Sequence, residues 1–236
     1  MRYFFIILSL FSLATSFAQE QFPTTTVDTT FFTKIDSMYR EDQIYVGLTY
    51  NLLRNVPKAL SQNGFSSGIS VGFLRDMPFN KKRTFAVALG AGFSYANYQQ
   101  NLTITTANQI NQYEFISSSD LSKGKIEQLF IDVPIEFRWR NSTPSSYKFW
   151  RIYTGFKMQY LLYDKSRYEG EGFSYRVTNN KDFNKLQYGP YIAIGFNTWN
   201  FQAYYGVNSL FKNVSTTDGD SVAMKTLNLG LMFYIL

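Results

Sequence analysis

Phe85-Ala86-Val87-Ala88-Leu89-Gly90-Ala91-Gly92-Phe93-Ser94-Tyr95-Ala96 sets six residues, most of them large and apolar, on odd positions against six small ones on even positions. Successive strand side chains point to opposite faces, so this is a strand with one greasy face and one nearly bare face. Twelve residues exceed the roughly 9–11 that a tilted strand needs to cross a membrane. The bare face suits the inside of a narrow barrel, where there is room for little more than side-chain filling.

The same period recurs in seven more segments. Ile44, Val46, Leu48, Tyr50 and Leu52 oppose Tyr45, Gly47, Thr49 and Asn51, and Ile69, Val71 and Phe73 oppose Gly68, Ser70 and Gly72. Leu129, Ile131, Val133, Ile135, Phe137 and Trp139 oppose Gln128, Phe130, Asp132, Pro134, Glu136 and Arg138. Trp150, Ile152, Thr154, Phe156, Met158, Tyr160 and Leu162 oppose Arg151, Tyr153, Gly155, Lys157 and Gln159. Further segments run over Leu186–Asn197, Phe201–Leu210 and Thr226–Leu236. Ionic residues in these strands keep to the face opposite the aliphatic one, which a polar lumen accepts and lipid does not.

The connections alternate in length. Asp76–Arg83, Asn141–Lys148 and Thr198–Asn200 read as short turns, whereas Asn97–Glu127 and Lys165–Phe183 read as long loops. Short periplasmic turns, long outer loops and an even strand count describe an outer-membrane barrel with both ends in the periplasm. The fold class expected is all-β: an eight-stranded antiparallel transmembrane β-barrel, an up-and-down meander over residues 44–236. Trp139, Trp150 and Trp199 all fall at short-turn ends, as an aromatic girdle at the periplasmic interface would. A soluble lipocalin-like barrel or a sandwich also alternates, but turns its apolar face inward, against these small and ionic inner faces.

The N-terminus reads as a secretory signal over residues 1–18, with Arg2, an apolar run from Phe4 to Leu10 and the small-residue site Ser16-Phe17-Ala18. Residues 19–43 form a Thr-rich periplasmic lead-in. After residue 18 no apolar stretch approaches the length of a membrane helix. Aromatic residues make up 19% of the chain, yet mean hydropathy is only −0.20, the average expected when one face is greasy and the other polar. The formal charge of +6 is scattered among strand ends and loops, so nucleic acid is not an expected partner. Outer-membrane lipid is, together with protein partners in the outer membrane or periplasm.

Ile131-Asp132-Val133-Pro134-Ile135-Glu136-Phe137-Arg138-Trp139 resembles the acidic-aliphatic-Pro strand with a basic-aromatic end found in the outer-membrane β-barrel family of Bacteroidota that includes PorT-like proteins. The likeness continues through Tyr153-Thr154-Gly155 and around Gly189 and Gly195, as a spaced pattern over most of the chain beyond Gln43. The resemblance implies an integral outer-membrane barrel and a link to type IX protein secretion.

The chain has no histidine and no cysteine. The histidine base of barrel phospholipases, deacylases and proteases therefore cannot be built, and no cofactor or metal site is expected. Asp132 and Glu136 share a face but lie about 13 Å apart along their strand, too far for a retaining glycosidase pair. With Arg138, Arg151 and Lys157 they are expected to form a barrel-lumen ionic network. The function expected is a non-enzymatic accessory or scaffold subunit, the alternative being a small-solute channel or a lipid- or ligand-binding barrel.

Overall fold

The computed structural model describes residues 41–62, 64–107, 110–117, 119–141 and 149–235. The expected signal peptide, nearly all of the 19–43 lead-in and most of the Asn141–Lys148 turn lie outside these residues. The chain forms eleven strands: β1 Glu41–Arg54, β2 Ser67–Pro78, β3 Phe85–Gln99, β4 Leu102–Ala107, β5 Ile110–Phe115, β6 Leu121–Arg140, β7 Trp150–Gly170, β8 Phe173–Thr178, β9 Leu186–Phe196, β10 Trp199–Tyr205 and β11 Lys225–Ile235. Eight of them pair antiparallel in the ring β1-β2-β3-β6-β7-β9-β10-β11, which closes where β11 meets β1. The closed ring leaves no barrel edge unpaired, so backbone polar groups are satisfied without water.

Alternation decides which side chains face out. On β3, Phe85, Leu89 and Phe93 are exposed while Ala86 and Ala88 are buried, and β9 alternates without a break from Leu186 to Phe196. From Phe85 to Tyr95, from Trp139 to Leu129 and from Trp150 to Tyr160 is ten positions each. At about 3.4 Å per residue and a tilt of ~40° that is an apolar band about 25 Å tall. Inside, the glycines of β2 and β3 make room for one large ring, since a Cβ on Gly72 or Gly92 would collide with Tyr45.

Strand boundaries differ from the sequence reading at several points, the first being β1, which starts at Glu41 and so takes Gln43 of the expected lead-in into the barrel wall. The turn expected at Asp76–Arg83 is shorter, because β2 continues through Pro78 and carries Asp76 into the lumen. The β9–β10 connection is a two-residue turn, with Phe196 paired to Trp199 and Asn197 at φ 55°. β10 stops at Tyr205, and Leu210 and Phe211 leave the sheet for a separate apolar core.

The long connections are folded. β4 and β5 form their own hairpin, and β8 adds to the far end of β7. β6 and β7 have 20 and 21 residues, so they extend well past the apolar band. Their pairing shifts between Leu129↔Tyr163 and Phe130↔Leu161, leaving Leu162 as an extra residue. Inward positions on β7 consequently change from Gln159 and Leu161 to Asp164, Ser166 and Tyr168. Around these elements a cap forms at the long-loop end, with Leu102, Ile104, Tyr113, Ile126, Tyr168, Phe211 and Met224 buried in its core.

Candidate functional site

The inner surface of the barrel is the candidate site, and it contains two polar clusters. At the short-turn end, β6 sends Glu136, Arg138 and Arg140 inward. Arg138 donates to Asp76 and to Gln43, both at 2.8 Å, and to Glu136 at 2.7 Å. Arg140 reaches the second Asp76 oxygen at 2.8 Å and donates to the Arg83 carbonyl at 2.7 Å. The Tyr191 hydroxyl donates to the other oxygen of Glu136. The Arg138 guanidinium also lies over the Tyr153 ring, 4.6 Å from its centroid, and beside Tyr234 at 5.4 Å. The side chains of Arg138 and Asp76 are wholly buried. Breaking such a pair from one side leaves an uncompensated charge in a medium that cannot solvate it.

Halfway along the lumen, Asp132 accepts from Ser94 at 2.8 Å and from Gln159 at 3.0 Å. Lys157 lies 3.9 Å from its second oxygen and 4.5 Å from the centroid of the Tyr204 ring. Two voids along the lumen measure about 20 and 10 Å³. A void of that size holds about one water.

The five charged residues singled out from the sequence therefore fall into separate groups. Glu136 and Arg138 belong to the lower cluster, and Asp132 and Lys157 to the middle one. Arg151 joins neither through a carboxylate among the described residues. It lies against the rings of Phe149, Tyr153 and Tyr234 at 4.7, 5.9 and 5.9 Å. Sequence reasoning missed Gln43, Asp76, Arg140 and Tyr191. The parity of β2, where Leu74 and Asp76 continue the inward row of Ser70 and Gly72, was the signal that could have found Asp76.

Trp139, Trp150 and Trp199 face outward at the short-turn end, 36%, 53% and 62% exposed. Trp150 meets the Phe196 ring at 5.4 Å and Trp199 meets Phe233 at 5.5 Å. At the opposite end of the band Tyr95, Tyr160, Tyr163 and Tyr188 face outward.

The cap closes the long-loop end with a different chemistry. Phe183 stacks on Phe211 at 4.5 Å, and Tyr113 packs edge-on against Phe211 at 5.6 Å. The Tyr113 hydroxyl donates to Asp182 at 2.6 Å and accepts from Asn180 at 2.8 Å. Burial, reinforced by the Asp182 carboxylate, pushes the Tyr113 phenol well above its ordinary range. Asp164, on the β7 extension beyond the bulge, accepts from the Asn180 amide at 3.0 Å. Burial nevertheless raises its carboxyl to about 6.

A family model described as an outer membrane protein beta-barrel domain matches residues 17–212. No curated protein matches the chain. Among solved structures, the chain is similar to Ail, the attachment invasion locus protein of Yersinia pestis, at 16% identity and a TM-score of 0.36, over 81% of this chain and 97% of that one. A second structure of Ail, in complex with the heparin analogue sucrose octasulfate, aligns at 14% identity and a TM-score of 0.31, over 82% of this chain and 99% of that one.

Proposed function

The chain belongs to the family of outer membrane protein β-barrel domains, and on that premise we propose that it works as a non-enzymatic accessory or scaffold subunit of the outer membrane. Its specific form in this reading is a PorT-like part in type IX protein secretion, as the β6 motif implies. The supporting observation is the filling of the lumen: a buried Arg138–Asp76–Glu136 cluster at one end, an apolar cap at the other, and voids of about one water between them. A barrel so filled offers surfaces and not a path.

In this reading residues 1–18 are removed on export, the lead-in as far as residue 40 hangs in the periplasm ahead of β1, and both chain ends lie there. The cap faces outside. Asp132, Glu136, Arg138, Arg151 and Lys157 act as the barrel-lumen ionic network, Arg151 through aromatic rings. Trp139, Trp150 and Trp199 act as the periplasmic aromatic girdle, and the outward face of the strands contacts outer-membrane lipid. Protein partners dock on the cap or on the lead-in ahead of β1. With no histidine in the chain, no acid–base site of the kind used by barrel hydrolases is available.

A mild-detergent pulldown of the tagged protein from outer membranes, with and without residues 19–40, a deletion that stops short of β1, tests this reading. Stoichiometric recovery of secretion components, lost on deletion, is the expected result. Recovery of the barrel alone, together with steady conductance in a planar bilayer, would replace the scaffold with a small-solute channel.

A further inference from the structure

Above the apolar band, the outward face of β6, β7 and β8 carries a grid of charge. Lys125, Arg167 and Arg176 stand opposite one another in a single row across the three strands, with Gln99 of β3 at its end. The row nearer the band is Glu127–Lys165–Thr178 and the row farther out is Lys123–Glu169–Ser174. Glu127 is shared by Lys125 at 2.6 Å and Lys165 at 3.7 Å, and Glu169 by Arg167 and by Lys123 at 4.0 Å. Two carboxylates thus serve four cations, and Arg176 has no carboxylate partner among the described residues. Like charges in direct cross-strand register destabilise a sheet unless an anion lies between them.

The position of this grid indicates the anion. Lys125 is four positions beyond Leu129, which is about 10 Å above the edge of the band on a tilted strand. Lysine and arginine stems can reach back from there to headgroup level. Directly below the cations Leu129, Tyr160, Leu162 and Tyr163 form an exposed apolar surface continuous with the band. Beside them opens a polar cavity of about 250 Å³, lined among others by Asn97, Gln99, Ser122, Lys123 and Lys125. On the far side of the barrel Arg54 and Lys225 form a second like-charged pair, also in register and also just above the apolar rows. A soluble polyanion would have no use for the apolar surface below the cations, whereas a lipid uses both parts.

We propose that the Lys125–Arg167–Arg176 row and the adjoining cavity hold the phosphorylated sugar headgroup of an outer-leaflet glycolipid, whose acyl chains lie on Leu129, Tyr160 and Leu162. The assignment to the outer leaflet rests on the orientation given above, cap outside. Arginine forks bind phosphate oxygens and Lys125 adds a point charge, while the amides around the cavity face the sugar.

Native mass spectrometry of the full-length barrel, released from detergent in the presence of phosphorylated lipid A, tests this. Wild type is expected to retain the lipid, and the Arg167→Gln/Arg176→Gln double variant to retain it roughly thirtyfold less well, given the usual contribution of two interfacial cations. Arg75→Gln, an exposed arginine at the opposite end paired with Asp42, is expected to match wild type. Heat-modifiable gel mobility reports that each variant is folded. Equal retention of dephosphorylated lipid A, unchanged retention by the folded double variant, or displacement by inorganic phosphate or a soluble sulfated polymer as readily as by lipid would each overturn the proposal. An epitope inserted in the β4–β5 turn and probed on intact cells reads the orientation separately. An epitope reached from outside leaves the lipid result to decide, and one that is not overturns the outer-leaflet assignment whatever the retention.

Discussion

β6 crosses two solvents without changing its alternation. Below Leu129 it turns Ile131, Ile135 and Phe137 outward and Asp132, Glu136 and Arg138 inward. Above Leu129 the outward residues are Glu127, Lys125 and Lys123, and Ile126 and Gln128 are buried. The lower half is an inside-out protein, with polar groups within and lipid against its aliphatic face. The upper half is an ordinary soluble fold with an apolar core. Lipid exerts no hydrophobic pressure on a Leu or Phe, so the lower half depends on ring closure and on satisfied buried polar groups. The cap depends on excluding water from Leu102, Ile104, Phe211 and their neighbours.

The two halves should therefore fail in opposite ways. The largest effect is expected from Arg138→Met, which leaves Asp76 and Glu136 buried without their cation, at a cost of about 3–5 kcal/mol. A urea midpoint of the detergent-folded barrel measures it, and a shift below about 1 kcal/mol would show that the lower cluster is not what holds the lumen. Next, Leu102→Ala in the cap core should cost about 3 kcal/mol locally. Its reading is faster proteolysis between residues 100 and 117 with an unchanged barrel midpoint, and a midpoint that fell equally would merge the halves into one cooperative unit.

A charge placed outward separates the halves more sharply still. Leu89→Lys, on the lipid face near the middle of the band, should cost about 2–3 kcal/mol. Ile110→Lys, 67% exposed on the cap, should stay within about 0.5 kcal/mol. Comparable losses at both sites would mean that Ile110 is covered in the membrane.

The smallest effect concerns pH. The Asp164 carboxyl stands at about 6 in the folded cap, against about 4 when unfolded, because burial disfavours its charge. The protonated form is thus favoured by folding, and its contribution is complete below about pH 4 and is lost as pH rises through about 6. Between about pH 5 and about pH 7 the cap should lose on the order of 1 kcal/mol, solvent screening included. Proteolysis of the cap would quicken over that interval, and Asp164→Asn should abolish the dependence. A profile unaltered by the substitution would assign the effect to another group.

Periodicity made the eight barrel strands legible, since a single strand reports its own two faces. The eight alternating segments in the sequence correspond in order to β1, β2, β3, β6, β7, β9, β10 and β11. Partners across the lumen were less legible, because they depend on the stagger between strands. Arg151 shares the inward parity of Lys157, yet it meets rings and not a carboxylate. Asp76 was hidden by its polar neighbours toward Arg83, which read as a turn. The cap was missed for a different reason. β4, β5 and β8 are six residues each and rich in Thr, Asn, Ser and Gln, and their buried residues come from elements far apart in sequence. No local period shows that Leu102, Tyr168 and Phe211 will meet.

Leu162, the unpaired residue of the β7 bulge, gives the two halves of that strand different reading frames. Below it odd-numbered residues look inward, and above it even-numbered ones do. Deleting that residue would set Leu161 and Tyr163 side by side opposite Phe130 and Leu129 and let the strand alternate without a break, with Asp164, Ser166 and Tyr168 still inward. Straightening the strand with Leu162 kept would instead turn Lys165 and Arg167 in and those three residues out. The cap is thus joined to the barrel, on this strand, by a one-residue frameshift. The bulge is thus a spare residue: a one-residue deletion at the junction can be absorbed by straightening the strand, whereas straightening it with every residue kept would invert the β7 share of the cap without changing a single side chain in it.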